Sequence, residues 1–151
     1  MALDEDVRTL SGVELFAGFT QEQVRLLAFG AENMHLPAGR TLYREGDQAD
    51  CAFVVVTGRI RLTRERDGRQ APVGHAGPGA ILGELALVAD SNRLTDAVTE
   101  TDADLIRLER KLFRRILEEY PDLAVLLHNR IVAEIRKLAS DIGRLAPRFD
   151  I

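Results

Sequence analysis

The spacing of apolar residues along the chain changes twice. Over residues 7–33 it is helical: "SGVELFAGF" leads to Thr20, an N-cap in front of "QEQVRLLAFGAEN", and Phe16, Phe19, Leu26, Leu27 and Phe29 form one apolar side. Over residues 34–109 the runs shorten and glycine and proline punctuate them: "HLPAG", "TLYREGD", "AFVVVTG", "RIRLTRERDG", "APVGHAGPGA" and "DAVTETDADLIRLE". Short strands with turn signals at intervals of roughly 8–12 residues predict a β-sandwich, jelly roll or barrel. "VVVTGRIRL" reads as a hairpin centred on Thr57 and Gly58, and Asp67-Gly68 in "RERDGRQ" as a tight turn.

From 110 to 146 the helical spacing returns. Pro121 breaks it and suits the first turn of a second helix, with Tyr120 just ahead. In that helix Ile131, Ile135, Leu138, Ile142 and Leu145 are spaced 4, 3, 4, 3, with Ala124 and His128 in register before them. Such a heptad seam calls for a partner helix or for packing on its own domain. Leu126, Leu127 and Val132 supply a second apolar face, so the expectation is a homodimer through the C-terminal helix.

Composition narrows the picture. At 151 residues one domain, 1–151, is expected, with 46% hydrophobic and 29% charged residues as in a globular chain. The net charge of −4 and scattered basic residues argue against a nucleic-acid surface. No apolar run approaches the roughly 18–20 residues of a membrane span. The acidic start "MALDEDVRTLSG" lacks the form of a secretion signal, and the single Cys51 leaves no intramolecular disulfide, so a cytoplasmic location is expected. Cys51, beside "AFVVV", reads as a small core residue. His35, His75 and His128 have no metal-ligand spacing, and His128 reads as a partly buried seam residue. Glu109–Arg115 reads as a solvated helix face. With no G-x-S-x-G and no P-loop, no catalytic residues, no metal and no enzyme are expected.

The candidate chemistry lies in Gly83–Val98, "GELALVADSNRLTDAV". A glycine and Glu84 open an apolar turn, and Arg93 follows nine positions after the glutamate. The pair reads either as a surface salt bridge or as a pocket for a small ligand with hydroxyls at one end and an anion at the other. A guanidinium offers an anion a planar fork of donors, and a carboxylate accepts from a hydroxyl. Gly83 removes a side chain where the backbone must come close.

Here the sequence resembles the cyclic nucleotide-binding domain family, as found in the catabolite activator protein class, in the regulatory subunits of cyclic-AMP-dependent kinase and in nucleotide-gated channels. The resemblance runs from about 13 to 145, through "LFAGFTQEQV", "LPAGRTLYREGDQAD", "FVVVTGRIRL", "GPGAILGELAL", Arg93 and "DADLIRLERKLFRRILEEYPDL". It implies a mainly β fold with flanking helices: an eight-stranded jelly-roll β-barrel, N-terminal helices and a long C-terminal helix. It also implies a ligand site, cyclic AMP (cAMP) or cyclic GMP (cGMP). Glu84 would hold the ribose hydroxyl and Arg93 the phosphate. Backbone N–H groups of Leu85, Ala86 and Leu94 would complete the cradle, with Gly83 and Thr95 beside them. Leu127, Asn129, Arg130, Ile131 and Glu134 lie where the family contacts the base.

"RLTDAV" departs from the family's usual small or hydroxyl residue, Ala, Thr or Ser, then Val. Leu94 offers no hydroxyl, which points to cAMP, and its bulk would crowd the pocket. Asp96 would oppose a phosphate unless it faces outward while Thr95 faces inward. Only "RLAPRFDI" follows the long helix, too little for a DNA-binding module. The resemblance therefore implies a stand-alone sensor acting through an effector protein or a dimer rearrangement. The alternative is an interaction or scaffold module with a vestigial pocket, and a third is a fragment of a larger regulator.

Overall fold

The first sharp boundary is set by side-chain chemistry at Thr20. Its hydroxyl accepts from the Gln23 N–H at 3.2 Å, and Gln23 Oε1 accepts from the Thr20 N–H at 2.8 Å, a complete capping box. The computed structural model describes residues 2–149, with side chains described for 3–134, 136 and 137. In chain order the elements are α1 (Ala2–Ser11), a 3-10 turn (Glu14–Phe16), α2 (Gln21–Gly30), β1 (Glu32–Leu36), β2 (Thr41–Tyr43), β3 (Gln48–Ala49), β4 (Cys51–Thr57), β5 (Ile60–Arg66), β6 (Arg69–Ala76) and β7 (Ile81–Leu82). A second 3-10 turn (Glu84–Leu87), β8 (Ser91–Asn92), β9 (Asp96–Thr99), β10 (Ala103–Glu109), α3 (Arg110–Glu119) and α4 (Pro121–Phe149) complete the fold. The helical zone thus begins at Ala2 rather than at residue 7.

Two four-stranded antiparallel sheets, β1-β10-β4-β7 and β2-β9-β5-β6, face each other with a small β3-β8 ladder between chain segments. The architecture is the expected one: mainly β, jelly-roll in form, with flanking helices. The eight expected strands are ten segments, because β3, β7 and β8 are two-residue ladders too short to leave a periodic signal.

β4 shows why the sequence contains an unbroken apolar run. Ala52 and Val54 face the helices, where they join Leu10, Phe16, Leu27, Phe113 and Leu127. Cys51, Phe53 and Val55 face the interior of the roll with Ile60, Leu82, Ala97 and Leu105. A strand buried on both faces has no polar alternation to show.

Asp67 (φ 52°) and Gly68 (φ 77°) make the tight turn that joins β5 to β6. Thr57-Gly58 does not make a hairpin: β4 and β5 belong to different sheets, so the chain turns a corner there. Gly58 has φ 93°, and a Cβ on it would collide with the Asp102 carbonyl oxygen and lie 2.8 Å from the Ala103 Cα.

Three helical expectations also change. Phe29 is 82% exposed, because α2 buries Val24, Leu27 and Ala28 instead. Ile131, assigned to the seam, is 2% exposed and packs in the helix core of its own chain. His128 is exposed rather than partly buried. The side chains of Ile135, Leu138, Ile142 and Leu145 lie outside the described residues. On α3, Lys111, Arg114 and Arg115 are exposed as expected, while Arg110 turns to Asp90 and to the Ala49 carbonyl.

Candidate functional site

The loop that carries the candidate residues is pinned at both ends. Leu82 of β7 pairs with Phe53 of β4, and Gly83 (φ 76°) then reverses the chain into the 3-10 turn. At the far end Ser91 and Asn92 pair with Ala49 and Gln48. The Arg93 N–H donates to the Asp47 carbonyl at 2.7 Å, and the Gly46 N–H donates to the Arg93 carbonyl at 2.8 Å. With its backbone held to Gly46 and Asp47, Arg93 sends its side chain into the roll, where it is 7% exposed.

The guanidinium sits among three groups. Nη2 donates to the Cys51 carbonyl at 2.8 Å and approaches Cys51 Sγ at 3.3 Å. Cζ lies 4.5 Å from the Tyr43 ring centroid and 5.5 Å from that of Phe53. Nη1 is buried with no hydrogen-bond partner among the described residues. A Cβ on Gly83 would clash with Nη1, so only glycine leaves room for it. A buried cation without a carboxylate is unfavourable, and ring faces and one carbonyl offset only part of that cost. Burial holds the Cys51 thiol above its ordinary range despite the nearby Arg107 and Arg93, so Cys51 is a core thiol and not a thiolate.

Glu84 faces elsewhere. It lines a cavity of about 610 Å³ with Glu14 and Leu15 of the first 3-10 turn, Gly79–Ile81, and Arg130, Glu134 and Lys137 of α4. Burial raises its pKa above the usual carboxylate value, and the charges of Glu134 and Glu14 raise it further. Arg130 spans the same space and donates to the Leu15 carbonyl at 3.0 Å and to the Ala17 carbonyl. The structure therefore brings Arg93 to Gly83 but turns Glu84 toward α4.

A carboxyl whose folded pKa is raised favours the folded state below its ordinary value and loses that contribution as pH rises through the raised one. At neutral pH Glu84 is thus an unfavourable charge in the ligand-free chain. Glu84→Gln is expected to stabilise the ligand-free protein at pH 7 by about 0.5 kcal/mol, the size usual for relief of a single charge, with the gain vanishing near pH 4. Thermal melts of both proteins at the two pH values check it; a gain that persists at pH 4 would contradict the electrostatic cause.

The remaining candidates fall into place around these two. Leu94 is 72% exposed and points away from the interior of the roll, against the expected crowding. Thr95 is half-buried. Asp96 accepts the Glu45 N–H at 2.7 Å and so spends its charge on a backbone donor. The Ala86 N–H donates to the Gly83 carbonyl at 3.0 Å inside the turn, so a ligand would have to share it. Leu85 is half-buried at the start of the same turn. Among the segment expected to meet a base, Leu127 and Ile131 belong to the helix core, Asn129 is exposed, and Arg130 and Glu134 line the Glu84 cavity. Tyr43, Phe53 and Cys51 were not singled out as site residues from the sequence. Nothing local links them to Arg93; sheet pairing does.

Among the described residues no three His, Cys, Asp or Glu side chains group as metal ligands, and no helix is long and apolar enough to cross a membrane.

A jelly roll with a short turn and a buried arginine at its inner edge, flanked by helices at both chain ends, is the architecture of a regulatory ligand-binding domain. The chain belongs to the cyclic nucleotide-binding domain family, whose sequence profile matches residues 33–120. It is 55% identical to a cyclic nucleotide-binding-like protein from Brucella abortus, with a TM-score of 0.70 over 76% of this chain and 99% of that one. It is 27% identical to the regulatory domain of Toxoplasma gondii PKA, crystallised with cAMP, with a TM-score of 0.72 over 76% of this chain and 44% of that one. Among curated proteins it is 32% identical over 111 residues to lysophospholipase nte1 of Aspergillus fumigatus, covering 73% of this chain and 7% of the lysophospholipase. The chain thus spans less than a tenth of such relatives.

Proposed function

We propose that this chain is a sensor that binds a cyclic nucleotide, cAMP in preference to cGMP, in the roll beside Gly83. The observation that carries the reading is the Arg93 Nη1: a buried cationic donor with no acceptor among the described residues, held against a glycine on the family's pocket loop. A cyclic phosphate supplies the missing acceptor and the missing negative charge together. The N–H groups of Leu85, Ala86 and Leu94 add donors, and Thr95 lines the wall. By the family's pattern, the lack of a hydroxyl at Leu94, a position exposed in the ligand-free chain, favours cAMP.

Glu84 reaches the sugar hydroxyl only by leaving its cavity, and that move separates it from Glu14 and Glu134. Because Arg130 ties α4 to the Leu15 and Ala17 carbonyls across the same cavity, α4 is the element that feels the change. A ligand shifts such an arrangement only by binding one form more tightly than the other. The response then passes to an effector protein in the cytoplasm or to a homodimer through the C-terminal helix. The resting direction of Glu84 favours a second reading, an interaction module with a vestigial pocket.

Calorimetric titration separates them. Micromolar binding of cAMP with weaker cGMP is expected. Absence of heat from either nucleotide at millimolar concentration would leave the interaction module.

A further inference from the structure

We propose that Tyr43, with Phe53 behind it, is the positioning residue for Arg93, holding the guanidinium so that Nη1 faces Gly83 and the incoming anion. The inference rests on the reading of Arg93 as the anion-binding group.

An arginine side chain has many rotamers, and an arginine free to choose among them loses entropy when it binds. Here the choice has been made before a ligand arrives. The Tyr43 and Phe53 rings are stacked 6.1 Å apart with an interplanar angle of 26°, and the guanidinium carbon lies 4.5 Å from the first and 5.5 Å from the second. The Cys51 carbonyl takes Nη2. Those contacts leave Nη1 without an acceptor among the described residues.

The backbone explains why these rings converge. Tyr43 ends β2 opposite Ala97 of β9, a small side chain in the same buried cluster as Phe53. Phe53 pairs with Leu82, the residue before Gly83, so the ring and the glycine are fixed to each other by the sheet.

Aromatic faces suit this task for a chemical reason. A carboxylate partner would hold the guanidinium equally well but would neutralise it and compete with the phosphate. A ring face attracts the cation through its quadrupole and leaves the full charge for the ligand.

The test uses the intact chain and cAMP, titrated by calorimetry into wild type, Tyr43→Phe and Tyr43→Leu, with melts run alongside. The phenylalanine variant keeps the ring and loses the hydroxyl; it is expected to bind within about twofold of wild type. The leucine variant fills space without a π face and is expected to bind roughly tenfold more weakly, as loss of a desolvated cation–π contact predicts. A leucine variant that folds and binds like wild type overturns the positioning role while leaving the nucleotide reading intact. Wild type that gives no heat removes both.

A second readout does not depend on the leucine variant folding. The chain has no tryptophan and two tyrosines, so in a Tyr120→Phe background the emission comes from Tyr43. An anion at Nη1 alters the cation lying on that ring, and the emission is expected to change in step with calorimetric saturation. Emission that stays constant through saturation overturns the proposal.

Discussion

Arg93→Met is expected to weaken cAMP binding by about 100-fold or more while leaving the melting temperature of the ligand-free protein unchanged or higher. The affinity loss follows from removing a charge-assisted contact to a desolvated phosphate. Such a contact is worth about 3 kcal/mol at the upper end, and 1.4 kcal/mol is a factor of ten. The stability result follows from the resting environment. The guanidinium is buried, and none of the described carboxylates pairs with it; Nη2 donates to the Cys51 carbonyl and to the weak acceptor Cys51 Sγ. Methionine is of similar reach, packs against the Tyr43 and Phe53 rings and carries no charge into the roll. It gives up the bond to the Cys51 carbonyl, which opposes part of the gain. Calorimetry and a thermal melt on the same preparation decide it. Binding retained within tenfold would remove Arg93 from the site, and a steep fall in melting temperature would make the arginine a structural residue.

Gly83→Ala is expected to impair both stability and binding. Alanine at φ 76° costs about 1–2 kcal/mol in backbone strain. Its Cβ would also occupy the position of Nη1, and the far end of a flexible arginine yields more easily than backbone does. The guanidinium then leaves its place between the rings and the turn, so cAMP affinity is expected to fall at least tenfold. Gly68→Ala is the control. It has nearly the same backbone angle, φ 77°, with nothing within 4 Å of the added carbon. Equal destabilisation in the two variants with unchanged nucleotide affinity in Gly83→Ala would show that Arg93 does not depend on the glycine. A melting temperature several degrees lower in Gly83→Ala, together with the binding loss, is the expected pattern.

These predictions concern residues whose type was legible in the sequence but whose surroundings were not. "GELALVADSNRLTDAV" was enough to select Gly83, Glu84 and Arg93. It carried no information that Arg93 would lie on Tyr43 and under Cys51, residues that β2-β9 and β4-β7 pairing brings near. Leu94 and Asp96 looked like obstacles, one by its bulk and the other by its charge, because the local pattern does not say which way either side chain points. β9 begins at Asp96, so Leu94 belongs to the approach to the strand and points to solvent, while Asp96 caps the Glu45 N–H. Ile131 satisfied a heptad pattern and also packs against its own core, since a 4, 3 spacing describes any buried helix face over a few turns.

Signals that act within a few residues were fixed by the sequence itself. The Thr20 capping box, the Asp67-Gly68 turn, the doubly buried β4 run and the Pro121 helix start each depend on a dihedral preference, a missing N–H or a local period. Tertiary structure alone decided the direction of side chains across the roll: Gly58 became a corner between sheets, Arg93 turned inward toward Cys51 from 42 residues away, and Glu84 turned out toward α4. The physical reason is that a side chain's neighbours in a β roll are set by strand pairing and register, which join distant segments, whereas the local pattern records only that a position is buried and not what it is buried against.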